Sequence, residues 1–159
     1  MITVSDRCAR GEATDHSGPL VARTLSAAGF PVGAVHVVPD GAASVEAAIR
    51  TALQAGARLV VTTGGTGIGP RDRTPEGTRP LLERELPGLA DAMRAAGARD
   101  VPSAVLSRAV AGVTAGGEDA RAALVVNLPG SPAGAEAGLV VLVPLVGHVL
   151  DQLDGGAHR

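Results

Sequence analysis

Leu59-Val60-Val61-Thr62-Thr63 is a strand-forming run with no alternation of polar and apolar residues. Four of the five side chains are β-branched, which suits an extended, pleated backbone. A strand of this kind is stable only when both of its faces are covered, as in a parallel sheet under helices. The flanking sequence has the matching rhythm. Met1 to Val4 reads as a first strand, and Pro19 to Ala28 carries Leu20, Val21, Thr24, Leu25 and Ala28 at helical spacing before Gly29. Val35 to Val38 reads as a second strand, ending at Pro39-Asp40. Ser44 is the predicted N-cap of a helix through Ala55, with Val45, Ala48, Ile49, Ala52 and Leu53 on one face. Thr74-Pro75-Glu76 has the form of a helix start, with a hydroxyl cap, a proline and an acid in the first turn. Helical stretches are predicted from there to about Glu85 and again from Leu89 to Ala96. Leu124 to Leu128 is a further strand, and Ser131 to Leu153 has helical length, with Gly134, Gly138 and Pro144 as points of interruption. The order implies one α/β domain over residues 1–159, its sheet largely parallel and helices on both faces.

Composition narrows the function classes. Phe30 is the only aromatic residue among 159, so the chain has no platform for stacking nucleic-acid bases. The formal charge of −2 provides no general attraction to nucleic acid or to anionic membrane. All 14 basic residues are arginines, which excludes lysine chemistry while offering planar forks for phosphate. Cys8 stands alone, ruling out an internal disulfide or a thiolate metal cluster, and reads as an ordinary small side chain. No uncharged apolar run reaches the roughly 20 residues of a spanning helix, so a soluble cytoplasmic protein is expected. Arg84, Arg94 and Arg99 read as solvated charges.

In a parallel sheet, ligands bind outside the carboxyl ends of the strands. The segments there are Ser5-Asp6-Arg7, Pro39-Asp40, Gly64 to Asp72, and Pro129-Gly130-Ser131, all rich in glycine, hydroxyls or charge. Gly64-Gly65-Thr66-Gly67 allows a tight turn that exposes backbone N–H groups to an anion. A Walker loop is excluded because no lysine follows, and a dinucleotide fingerprint fails at Pro70. A plain strand-to-helix turn would also use these glycines. Arg71-Asp72-Arg73 adds charges suited to phosphate and a ligand suited to Mg²⁺. Asp40, after a neighbouring strand, supplies a second carboxylate for a metal-assisted phosphate site, or serves a turn or cap.

The sequence also resembles a known family. Thr3-Val-Ser-Asp-Arg7, Asp15-His-Ser-Gly-Pro19, Val38-Pro-Asp40, Thr62-Thr-Gly-Gly-Thr-Gly67, Pro70-Arg-Asp-Arg-Thr-Pro-Glu76, Leu106-Ser-Arg108 and Asn127-Leu-Pro-Gly-Ser-Pro132 stand in the order of the molybdopterin-binding family. That family includes the bacterial Mog and MoaB proteins and the gephyrin G domain. The resemblance runs from Thr3 to about Leu153. It implies a three-layer α/β/α fold, a homotrimer or hexamer, and transfer of AMP from Mg-ATP to the terminal phosphate of molybdopterin. It also implies hand-over to a molybdate-insertion protein. By the family pattern Asp40 and Asp72 are catalytic and hold Mg²⁺. Gly64, Gly65, Thr66, Gly67, Ser107, Arg108, Pro129, Gly130 and Ser131 fall on the pterin side. Ser5, Asp6, Arg7, Ser17 and Gly18 fall on the nucleotide side. A non-catalytic, MoaB-like paralogue that binds molybdopterin or acts in regulation or scaffolding is the alternative. Where relatives often carry a lysine after the Pro-Gly-Ser/Asn-Pro turn, this chain has Ala133-Gly134, so the anion contact is either missing or supplied by Arg108.

Overall fold

A computed structural model describes residues 1–117 and 121–156. Its six-stranded mixed sheet has the order β2-β1-β3-β6-β5-β4. The strands are β1 (Ile2–Val4), β2 (His36–Val38), β3 (Leu59–Thr63), β4 (Arg84–Glu85), β5 (Ala111–Val113) and β6 (Leu124–Leu128). β2, β1, β3 and β6 run parallel, with Val60 beside Val125 and Thr62 beside Asn127. β5 and β4 run antiparallel at one edge. The helices are α1 (Asp6–Ala9), α2 (Ser17–Ala27), α3 (Ala42–Gln54), α4 (Thr74–Thr78), α5 (Pro87–Ala98) and α6 (Pro132–Leu153).

The pleat sorts the central strands into two cores. Val61, Leu124, Val126 and Leu128 join Val21, Leu25, Met93, Leu139, Leu142 and Val146 beneath α2, α5 and α6. Val60 and Val125 face the other way and join Ile2, Val4, Val45 and Ile49 beneath α3. Burying an aliphatic side chain of this size contributes about 1.5–3 kcal/mol. Both faces of β3 and β6 are therefore covered, as their unbroken apolar runs require.

Several expectations from the sequence give way. The helix read from Pro19 begins earlier, at Ser17, and a short α1 precedes it, with Ser5 as its N-cap accepting a hydrogen bond from Cys8 N. Ser44 is not a cap: α3 starts at Ala42 after Gly41, and Ser44 Oγ donates to the Pro39 and Gly41 carbonyls. Thr74 lies inside α4, because its hydroxyl donates to Gly64 O at 2.9 Å instead of capping. No helix reaches Glu85. α4 passes into a 3-10 turn at Arg79–Leu81, Pro80 lacking an N–H to extend it, and β4 follows.

α6 is unbroken through Gly134, Gly138 and Pro144. The carbonyl that Pro144 leaves without a helical partner belongs to Val140, a residue on the exposed face of α6. By length and composition alone α6 could cross a membrane. Its buried residues Ala135, Gly138, Leu139, Leu142 and Val146 form one stripe against the sheet, the pattern of a core helix.

Candidate active site

The carboxyl edge of the parallel strands opens into a cleft of about 330 Å³, whose lining includes Ser5, Ser17, Asp40, Gly64, Gly65, Asp72 and Gly130. Its floor is made by two turns. Gly64, with φ +91°, places its Cα so close to the Val4 carbonyl oxygen that any Cβ would overlap it. Gly64 N donates to Leu128 O at 3.1 Å. Gly65, with φ +64°, likewise has no room for a Cβ against Thr74 Oγ1. From the other side, a Cβ on Gly130 would stand 3.2 Å from Gly64 Cα. The turns after β3 and β6 thus meet backbone to backbone.

Two carboxylates flank this floor. Asp40 follows β2 and interlocks with the β1 loop: Asp6 N donates to Asp40 Oδ2 at 2.8 Å, and Asp40 N donates to Asp6 Oδ1 at 3.0 Å. Arg71 ties the pair to the glycine loop, donating to both carboxylate oxygens of Asp6 and, at 2.7 Å, to Asp40 O. The hydrogen bond from Arg71 holds the Asp6 carboxyl below its ordinary range. Asp72 turns back on its own loop, Oδ2 accepting from Gly69 N at 2.8 Å. Both Asp40 and Asp72 are half-buried.

The structure divides the remaining sequence candidates. Ser17 is buried, its hydroxyl donating to Thr63 Oγ1 at 3.1 Å, and Gly18 N donates to Asp15 Oδ1 at 2.9 Å. Arg7 is exposed on α1. Thr66, Gly67, Ser107 and Arg108 form a neighbouring group outside the cleft lining: Ser107 Oγ donates to Thr66 Oγ1 at 3.3 Å, and Arg108 Nε donates to Gly67 O at 2.8 Å. Ser107 and Arg108 line a second hollow of about 350 Å³ with Arg79 and Arg94. Ser131 caps α6, accepting from Gly134 N at 3.2 Å. Pro129 sits beside it at the end of β6.

Three residues escaped sequence reasoning. Asp15 lines the cleft and accepts from Thr3 Oγ1 at 2.6 Å as well as from Gly18. Its place three residues before Gly18, at a helix start, was the available signal. Glu76 pairs with Arg108, and this hydrogen bond lowers the Glu76 carboxyl from its ordinary value. Arg94 is not a solvated charge: Nη1 donates to Ala109 O at 2.9 Å and Ser107 O at 3.3 Å, steadying the segment before β5.

The cleft at the carboxyl edge, floored by glycine backbone and flanked by two carboxylates, lies where α/β domains with parallel sheets bind their ligands. The chain belongs to the molybdopterin-binding family: the sequence profile described as a probable molybdopterin binding domain matches residues 1–148. It is 43% identical over 151 residues to the molybdopterin adenylyltransferase of Pyrococcus furiosus, covering 94% of this chain and 87% of that one. It is 40% identical over 158 residues to the molybdenum cofactor biosynthesis bifunctional protein of Synechococcus elongatus. That match covers 99% of this chain and 48% of the relative, so the chain spans about half the length of that protein. Among solved structures, the Mog protein of Mycobacterium ulcerans superposes with a TM-score of 0.86 at 47% identity, over 96% of this chain and 95% of that one. The three-layer α/β/α arrangement expected from the resemblance is the one observed.

Proposed function

We propose that this chain is a molybdopterin adenylyltransferase. The observation that carries the reading is the convergence of Asp40 and Asp72, from loops after different strands, on one glycine-floored cleft. In the reaction a terminal phosphate oxygen of molybdopterin forms a bond to the α-phosphorus of ATP. The bond from that phosphorus to the bridging oxygen breaks, and pyrophosphate carries away the electron pair.

Such transfers depend on positioning and charge neutralisation more than on covalent participation by the protein. Gly64, buried with its N–H on Leu128 O and its carbonyl on Thr74, and half-buried Gly65 keep the floor free of side chains where phosphate oxygens would sit, although the N–H of Gly64 is not open to an anion as the sequence suggested. Ser5 and Ser17 line the nucleotide wall, with Asp6 fixing Asp40 from behind. Thr66, Gly67, Ser107 and the turn at Pro129, Gly130 and Ser131 form the pterin side.

Mg²⁺ fits the donor set. It is commonly held by one or two carboxylates together with substrate phosphates, and Asp40 and Asp72 are two carboxylates on one cleft. Among the described residues no group of three or more His, Cys, Asp or Glu forms a self-sufficient metal cage. The site would therefore be completed by nucleotide. When bound, Mg²⁺ would supply charge neutralisation at the phosphates and the leaving pyrophosphate.

Purified protein given molybdopterin and Mg-ATP is expected to release pyrophosphate and form adenylylated pterin. Pterin binding without pyrophosphate would instead make the chain a binding paralogue. The reading extends to a homotrimer or hexamer in the cytoplasm that hands its product to a molybdate-insertion protein. Exposed Val140 and Leu145 on α6, with Val105 and Leu106 before β5, provide apolar surface for subunit contact. Light scattering showing a strict monomer would overturn that assembly.

A further inference from the structure

The absent lysine after Pro132 makes Arg108 the obvious substitute for an anion contact, but its guanidinium is committed elsewhere. Nε donates to Gly67 O at 2.8 Å and Nη2 to Asp72 O at 2.6 Å, while Nη1 pairs with Glu76. The backbone N of Arg108 donates to Thr66 O at 2.7 Å. One residue therefore grips the glycine loop at Thr66, at Gly67 and at Asp72, then anchors to Glu76 in α4. Arg108 does not line the cleft that Asp40 and Asp72 share.

The acceptors are carbonyls within the loop, so the grip fixes the backbone path that carries Asp72. A planar guanidinium can satisfy several acceptors in set directions, which the point charge of an ammonium does not reproduce. Asp72 is held at its carbonyl by Arg108 and at Oδ2 by Gly69, and together these fix where its carboxylate meets the cleft.

We propose that Arg108 is a positioning residue: it sets Asp72 in place and does not itself bind the anionic part of the substrate. The proposal rests on the adenylyltransferase reading for its kinetic arm alone.

The variants are Arg108→Lys and Glu76→Gln. The measurements are molybdopterin affinity by equilibrium fluorescence without nucleotide, single-turnover pyrophosphate release, Mn²⁺ binding with ATP by electron paramagnetic resonance, and amide hydrogen exchange over residues 64–73. Misplacing a reacting group by about 1 Å can cost about 10²-fold, so Arg108→Lys is expected to lose about that factor in turnover. Its affinity for molybdopterin should fall by well under about tenfold, since the looser grip on Gly67 softens the pterin side without removing a ligand contact. Mn²⁺ binding should weaken and exchange over the loop should quicken. Glu76→Gln should move the same readouts in the same direction by less, and it keeps the test alive if Arg108→Lys fails to fold.

Full turnover in Arg108→Lys would overturn the proposal. So would unchanged exchange, or a loss of about tenfold or more in pterin affinity with turnover retained, the mark of a direct ligand. If wild-type protein releases no pyrophosphate, the enzymatic reading fails by itself. The exchange and Mn²⁺ arms then still decide the role of Arg108.

Discussion

Arg71 and Asp72 are chain neighbours with separate tasks: the arginine ties Asp6 to Asp40, and the aspartate lines the cleft and turns back to Gly69. Removing a ligand or donor from such a site costs about 10²–10³ in rate. Asp72→Ala is expected to fold, by circular dichroism, and to lose adenylyl transfer by about that factor; near-wild-type pyrophosphate release would refute the assignment. Gly65→Ala introduces a Cβ against Thr74 Oγ1 at φ +64°, so strain of about 1–3 kcal/mol should appear as a lower midpoint in urea. The two aspartates were legible because Asp40 closely follows a strand-like run at Pro39, and Asp72 stands between two arginines just before a helix start. Arg108 was legible as a residue but not as a clamp: its partners are carbonyls 41 and 36 positions away, and carbonyls carry no sequence identity. The alternation of short β-branched runs with helical stretches did reveal the four parallel strands of the sheet.

At the level of elements, β4 and β5 were hidden for opposite reasons. Arg84–Glu85 is an exposed pair of charges, and Ala111–Val113 is a short run with a glycine at its centre. Neither has the periodicity that distinguishes a strand, and only pairing in the folded sheet identifies them. The coupling of β6 to α4 was equally silent. Asn127 is fully buried; its Nδ2 donates to Thr62 Oγ1 and Thr78 Oγ1 at 3.0 Å each, and its Oδ1 accepts from Val110 N. Thr78 in turn donates to Thr74 O, and Thr74 holds Gly64. Asn127→Ala leaves Val110 N–H without this acceptor, a loss of about 1–3 kcal/mol. Denaturant unfolding would measure it, and a change below a few tenths would show the network to be dispensable.

For the whole molecule, acid stability should follow the carboxylates held by arginine. The hydrogen bond from Arg108 depresses the Glu76 pKa in the folded state, and Arg71 does the same for Asp6. A group lowered on folding stabilises the protein above its unfolded pKa, and that contribution disappears as pH falls through the folded value. The stability gap between wild type and Glu76→Gln should therefore be full at neutral pH and close below the ordinary glutamate range. Urea midpoints across pH would check it, and a gap that persists in acid would refute the linkage. The backbone contact of Gly64 with Gly130 has a different consequence, one for divergence and redesign. Where the cavity bottom consists of main chain alone, substitution has nothing there to vary. New ligand preferences can arise only from wall residues such as Cys8, Thr14 and His16, while the base stays the same from one variant to the next.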